Sequence, residues 1–277
     1  MDEIEQANLE GAEEMVDIGD HRLLLRCTGT GWPTVVLEAG LGDTSLSAEW
    51  TSIQQRVATF TRCCGYACTG LGKSEPGHGQ RTSIRAVNDL HIMLHSAGIE
   101  GPYVLVGHSL GGLHVQLFAA CYPDEVAGVV LVDAMHEDHL VWLERNQLSA
   151  EELEGQRQVT TGNNPEGIAS DTALTALQQA HWRLDVPLVV LMRDHVPPEE
   201  QPPEWSSERE ELLLATWHEV QSDLANRSHR GRLIVAERSG HNIQLYRPDV
   251  IIEAIREVVA AARTQPATAV DAQPPTN

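Results

Sequence analysis

Short β-rich runs alternate with helix-period segments along most of this chain, and that alternation constrains its fold more than any other feature. Met15–Ile18 and Arg22–Cys27 read as two short strands joined at Gly19-Asp20, followed by strands over Thr34–Glu38, Thr59–Tyr66, Tyr103–Val106, Val126–Val132, Val186–Met192 and Arg232–Ala236. Helical spacing falls between them. Ser47–Ala58 puts Trp50, Ile53 and Val57 on one face, and Ser83–Ala97 carries the stripe Ile84, Val87, Leu90, Met93 and Leu94 before Gly98 ends it. Leu110–Cys121 is helical and stopped by Pro123; Glu208–Arg227 and Pro248–Ala262 are helical too. Val126–Val132 is a continuous apolar run of the kind buried on both faces. Strand and helix in this rhythm mean parallel βαβ units and an α/β sheet covered on both sides, with ligands bound beyond the carboxyl ends of the strands.

A length of 277 residues fits one such core with an insertion. The net charge of −21 would repel nucleic acid and anionic membrane surfaces, which excludes both as partners. No apolar run reaches the roughly 18–20 residues of a membrane span. The acidic stretch Met1–Glu14 lacks the basic start and apolar run of a signal peptide, so the expected location is the cytoplasm. Five cysteines, an odd number without an export signal, point to reduced thiols with packing roles. Cys63 and Cys64 are adjacent on a strand, face opposite ways and cannot easily share a metal. Lys73 is the only lysine, and its Gly-rich loop does not suit Schiff-base chemistry.

Gly107-His108-Ser109-Leu110-Gly111 directly follows the strand at Val104–Val106 and opens a helix. A sharp strand-to-helix turn strains the serine backbone, and only small neighbours two positions away leave room for it. The turn lifts the hydroxyl clear of the sheet and aims the helix N-terminus at the same spot, so Ser109 is the candidate nucleophile and the N–H of Leu110 a candidate oxyanion donor. A second donor is expected from the loop after an earlier strand. Gly40 and Gly42 allow close backbone approach there, and the N–H of Leu41 is the candidate.

A serine hydroxyl needs a base that works near neutral pH. Of thirteen histidines, His241 follows the last strand in Ser239-Gly240-His241, at the carboxyl end of the sheet. His108 adjoins the serine, but adjacent side chains in such a turn point apart. Two aspartates can orient the imidazole: Asp133, which ends the strand next to the nucleophile's, and Asp194, in a Pro- and Glu-rich loop that reads as solvated. Asp133 is favoured.

These motifs resemble the α/β-hydrolase family from about Met15 to Ala262. The likeness lies in Gly-His-Ser-Leu-Gly-Gly (107–112), Ser-Gly-His (239–241) with Pro248 following, Ala-Gly-Leu (39–41) and Gly-Leu-Gly-Lys-Ser (70–74), with serine, acid and histidine in the family's order. The resemblance implies an eight-stranded, mostly parallel sheet with a helical cap after strand six. The core would be residues 15–135 and 186–263, the cap 136–185, and the flexible termini 1–14 and 264–277. In most of the family the acid follows strand seven, which would be Asp194; some branches carry it after strand six, and Leu131-Val132-Asp133-Ala134 looks like those. Ala67 and Cys68 replace a polar pair usual before the Gly-x-Gly-x-Ser loop. A serine nucleophile implies action on esters, lactones, thioesters, some C–C bonds or acyl transfer, without cofactor or metal, and a small-molecule ester or lactone is the leading substrate class. A receptor built on a hydrolase pocket is the alternative from another class. Trp142, Leu143, Leu174, Leu177 and Trp182 either line a pocket or seat the cap.

Overall fold

The computed structural model describes residues 11–145, 150–180, 182–197 and 206–264; of the expected loose termini, 1–10 and 265–277 lie outside these residues. The strands are β1 (Glu13–Asp17), β2 (Arg22–Thr28), β3 (Val35–Glu38), β4 (Cys63–Tyr66), β5 (Arg81–Thr82), β6 (Tyr103–His108), β7 (Val126–Val132), β8 (Ile168–Ala169), β9 (Leu188–Arg193) and β10 (Gly231–Ala236). The helices are α1 (Ala48–Val57), α2 (Ser83–Ser96), α3 (Leu110–Cys121), α4 (His139–Arg145), α5 (Ala150–Thr160), α6 (Asp171–Ala180), α7 (Ser207–Ala225), α8 (Ile243–Tyr246) and α9 (Pro248–Arg263). Eight strands form one sheet in the order β1-β2-β4-β3-β6-β7-β9-β10, antiparallel at β1-β2 and β2-β4 and parallel elsewhere. The two-residue strands β5 and β8 pair separately.

Alternation at period two divides the core into two layers. Val35 and Leu37, Val104 and Val106, Val130 and Val132, and Val189 and Leu191 pack on one side with Trp50, Ile53 and Val57 of α1 and the apolar stripe of α9. Val36, Leu105, Val129, Leu131 and Val190 point the other way, toward α2 and α3 and the buried residues of α6 and α7. Trp50, Ile53 and Val57 are wholly enclosed, a contribution of roughly 1.5–3 kcal/mol for each such side chain. Ile84 leaves the expected stripe of α2 and is exposed. The inward place one turn before Val87 belongs to Ser83, which bonds His114 Nε2 at 3.1 Å.

Between β7 and β9 the chain inserts α4, α5, β8 and α6. Leu174, Leu177 and Trp182 are buried in the same cluster as Leu110, Leu113 and Leu117 of α3, so these side chains seat the insertion on the core. Trp142 meets Trp217 edge-on at 5.1 Å.

The cysteines depart from expectation. Cys27 of β2 and Cys64 of β4 are direct antiparallel partners, 4.0 Å apart at Cα, and form a disulfide. Cys63 faces the opposite core layer, and Cys63, Cys68 and Cys121 are free thiols. The reading of all five as reduced fails because it rested on count and compartment, whereas pairing depends on cross-strand register. Disulfides persist mainly in oxidising compartments, so this pairing lends the cytoplasmic expectation no support. No helix among the described residues is long and apolar enough to cross a membrane.

Under denaturing, non-reducing conditions a thiol-reactive dye should count three free cysteines, and five after reduction. Reduction should also cost about 2–4 kcal/mol of unfolding free energy in urea titrations, since the bond closes a loop of 37 residues. Five reactive thiols before reduction would contradict the pairing.

Candidate active site

The turn between β6 and α3 is too crowded for side chains at its glycines. A Cβ on Gly107 would stand 2.5 Å from the Gly111 carbonyl oxygen, and one on Gly111 would collide with the carbonyl oxygens of Ala39 and Glu38. Within it Ser109 takes φ 52° and ψ −118°, a conformation that costs a non-glycine residue on the order of 1–3 kcal/mol. Its backbone is tied down from both sides: Ser109 N donates to Val132 O at 3.2 Å, and Met135 N donates to Ser109 O at 2.9 Å. These two bonds lock the serine to the end of β7, where Asp133 follows.

Asp133 is fully buried, and it too has positive φ, 43°. Its Oδ2 accepts from His241 Nδ1 at 2.6 Å. Its Oδ1 accepts from Trp217 Nε1 at 2.6 Å and from Arg193 N at 3.0 Å. Arg193 Nε lies 2.9 Å from Oδ2 without hydrogen-bond alignment, so that contact is an ion pair only. Burial alone would raise the carboxyl pKa; the Arg193 charge and the His241 bond outweigh it and hold the group down at about 2. Asp133 is thus an anion that fixes His241 with its proton on Nδ1, leaving Nε2 free to accept one.

His108 does not point away from this group. Its ring packs 4.7 Å from that of His241, and its Nε2–H donates to the His241 carbonyl at 3.0 Å. Burial, with a smaller repulsion from His241, pulls the His108 pKa down to about 3, so the ring is neutral at pH 7. Asp194 is not a solvated bystander either. It accepts from Ser239 N at 3.0 Å, Arg238 N at 2.6 Å and His195 Nδ1 at 2.5 Å, and so holds the loop that carries His241.

Leu41 follows β3 in a turn closed by Asp43 N to Gly40 O at 3.1 Å. A Cβ on Gly40 would lie 3.2 Å from the Ser109 Cβ and 2.8 Å from His108 Nδ1, so this loop runs against the serine turn with no room for a side chain. Glu166 of the inserted segment accepts from Gly42 N, and Arg81 donates to the Glu166 carbonyl at 2.7 Å and its carboxylate at 3.0 Å. Leu110 is the first residue of α3, where an N–H has no intrahelical acceptor. Ser109, Asp133, His241, Leu41 and Leu110 therefore all gather at the carboxyl ends of β3, β6, β7 and β10.

A family model of the alpha/beta hydrolase fold matches residues 33–196, more than half of the chain. The chain belongs to this family. A protein of Hormonema carpetanum described as a probable transporter is 33% identical over 131 residues, 44% of this chain, but the chain spans only 18% of that relative's length. The uncharacterized protein YqjL of Bacillus subtilis is 27% identical over 261 residues, 86% of this chain and 88% of the relative. Among solved structures, a thermophilic esterase from Thermogutta terrifontis shares the fold with a TM-score of 0.62 at 21% identity, covering 92% of this chain and 99% of its own.

In this α/β-hydrolase the loop after β4 is braced without the usual polar pair. Ser74 Oγ donates to Ala67 O at 2.6 Å and accepts from Leu24 N at 2.8 Å, and Thr69 Oγ1 links Asp89 at 2.9 Å to His21 at 2.9 Å. Sequence reasoning did not single out Trp217 or Arg193. The signal for Trp217 was a buried stripe on α7, Leu213, Trp217, Gln221 and Leu224, in which an indole N–H and an amide demand partners. Gln221 finds Ala134 O at 2.8 Å.

The acid side of the stability profile should reflect both buried groups. The unfolded chain protonates His108 near pH 6.5 and the fold only near pH 3, so the unfolded state binds more protons between these values and stability falls as pH drops through them. Asp133 adds stability that is full above its ordinary 3.8 and is lost as pH falls toward 2. His108→Gln keeps an N–H for the His241 carbonyl and should reduce the slope of urea midpoints between pH 6.5 and 3.8, leaving the share of His139, which burial lowers to about 4, and the Asp133 loss below it. An unaltered slope in that variant would count against a buried neutral His108.

Proposed function

We propose that this α/β-hydrolase cleaves a carboxylic ester or lactone through an acyl-enzyme on Ser109. The observation that carries the reading is the 2.6 Å bond from His241 Nδ1 to the buried Asp133 carboxylate, at the strand ends beside the strained serine turn. His241 Nε2 takes the Ser109 proton as Oγ attacks the substrate carbonyl, and Asp133 stabilises the imidazolium that forms. The N–H groups of Leu41 and Leu110 receive the oxyanion; loss of one such donor typically costs on the order of 10²–10³ in rate. His241 then returns the proton to the leaving alkoxide, and a water activated by the same histidine releases the acid. His108, bonded to the His241 carbonyl, and Asp194, bonded to the loop before it, position the base without touching substrate. The esterase from Thermogutta terrifontis is consistent with this chemistry on the same fold.

Chromogenic esters and lactones of graded acyl length test the proposal. Ser109→Ala should abolish turnover and labelling by a fluorophosphonate. Asp133→Asn should lower kcat by about 10⁴, because the amide favours the wrong imidazole tautomer. Asp194→Asn should cost far less in kcat and show mainly as a lower Tm. Full turnover by Ser109→Ala removes the reading, and greater damage from Asp194→Asn than from Asp133→Asn reverses the acid assignment. Product analysis with alcohol acceptors separates hydrolysis from acyl transfer.

A further inference from the structure

The opposite end of the sheet carries a second group of chemically capable side chains. His91 and His95 stand four residues apart on α2 and so share one face of that helix. Glu125 meets them from the turn that leads into β7. His91 Nε2 lies 2.9 Å from Glu125 Oε1, and His95 Nε2 lies 3.4 Å from Oε2. One ligand atom from each residue falls within 4.8 Å of the other two.

We propose that His91, His95 and Glu125 form a binding site for a single Zn²⁺ ion. Zinc holds imidazole nitrogen and carboxylate oxygen at about 2.0–2.2 Å, which sets neighbouring tetrahedral ligands roughly 3.4 Å apart. Two of the contacts are already at or inside that spacing, so small side-chain rotations suffice. Three features favour a cation. Glu125 Oε2 is sealed from solvent and has no hydrogen-bond partner. The His91 ring is fixed, stacked 3.8 Å from Tyr122 with an interplanar angle of 1° and resting on Phe118 at 5.9 Å. The adjoining cavity of about 390 Å³ has Glu100, Asp124 and Glu125 as its acidic lining and neither Lys nor Arg.

His136, Glu137 and Asp223 also cluster, but there the Arg227 guanidinium bonds both carboxylates and already supplies the positive charge. No arginine or lysine fills that place at Glu125 among the described residues of the cavity. The zinc site lies before the amino ends of β6 and β7, whereas Ser109 follows the carboxyl end of β6. A six-residue strand spans roughly 20 Å, so the ion would clamp α2 to the start of β7 and take no part in the chemistry at Ser109.

The test uses the full chain, stripped of metal with a chelator and titrated with Zn²⁺ alone by calorimetry and equilibrium dialysis. One equivalent should bind, and Zn²⁺ should raise Tm. Glu125→Gln and the exposed-ring variant His95→Asn should each weaken binding by more than about tenfold and abolish the Tm shift. His136→Asn should leave both unchanged. Co²⁺ in place of Zn²⁺ should give visible d–d bands that Glu125→Gln removes. No uptake by the wild-type chain overturns the site, as does equal uptake by wild type and Glu125→Gln; loss on His136→Asn alone assigns the ion to the other cluster.

Discussion

The close approach of the β6–α3 turn to the end of β3 is the constraint on which the rest of this site depends. Gly107 and Gly111 press against each other, and Gly111 presses against the Ala39 and Glu38 carbonyls, so no side chain fits at either position. That crowding sets Ser109 at φ 52° and brings the Gly40 backbone against it. It also turns His108 inward, where its ring meets His241. One steric fact therefore places the candidate nucleophile Ser109, the Gly40 loop beside it and the His108 ring against His241.

The second constraint is electrostatic. A wholly buried carboxylate is costly unless donors surround it, and Asp133 has an imidazole, an indole, a backbone amide and the Arg193 charge. Arg193 lies over the Trp217 ring, 4.8 Å from its centre, so the two partners of Asp133 also brace each other. Arg193 ends β9, Trp217 is on α7 and His241 follows β10. The carboxylate thus gathers three elements around the end of β7, and the Arg193 charge and the His241 bond hold its pKa low against burial.

How far the site could be read beforehand varies residue by residue. Ser109 was legible because strand, small-residue turn and helix are all local in sequence. Leu41 was reached from the glycines beside it, and His241 from its position after the last strand. Asp133 and Asp194 both follow strands, and Asp133 was favoured only for directly ending the strand next to the serine's. They differ through partners remote in sequence: Trp217 and the His241 ring for one, the amides of Arg238 and Ser239 for the other. His108 was misjudged because the rule that adjacent side chains diverge ignores a third chain segment arriving at the gap. The thiols were misjudged for a related reason, since Cys27 and Cys64 meet only through the register of β2 on β4.

The sequence by itself determined the α/β architecture, the two core layers and the strand ends where a site could form. Period-two and helix-period patterns are written in neighbouring residues, and the Gly-bounded serine turn is five residues long. Tertiary structure alone decided which carboxylate holds the imidazole, that His108 supports it, that Cys27 pairs with Cys64, and that His91 and His95 meet Glu125. Each of those depends on distances between segments tens of residues apart, set by sheet order and helix packing that no local pattern encodes.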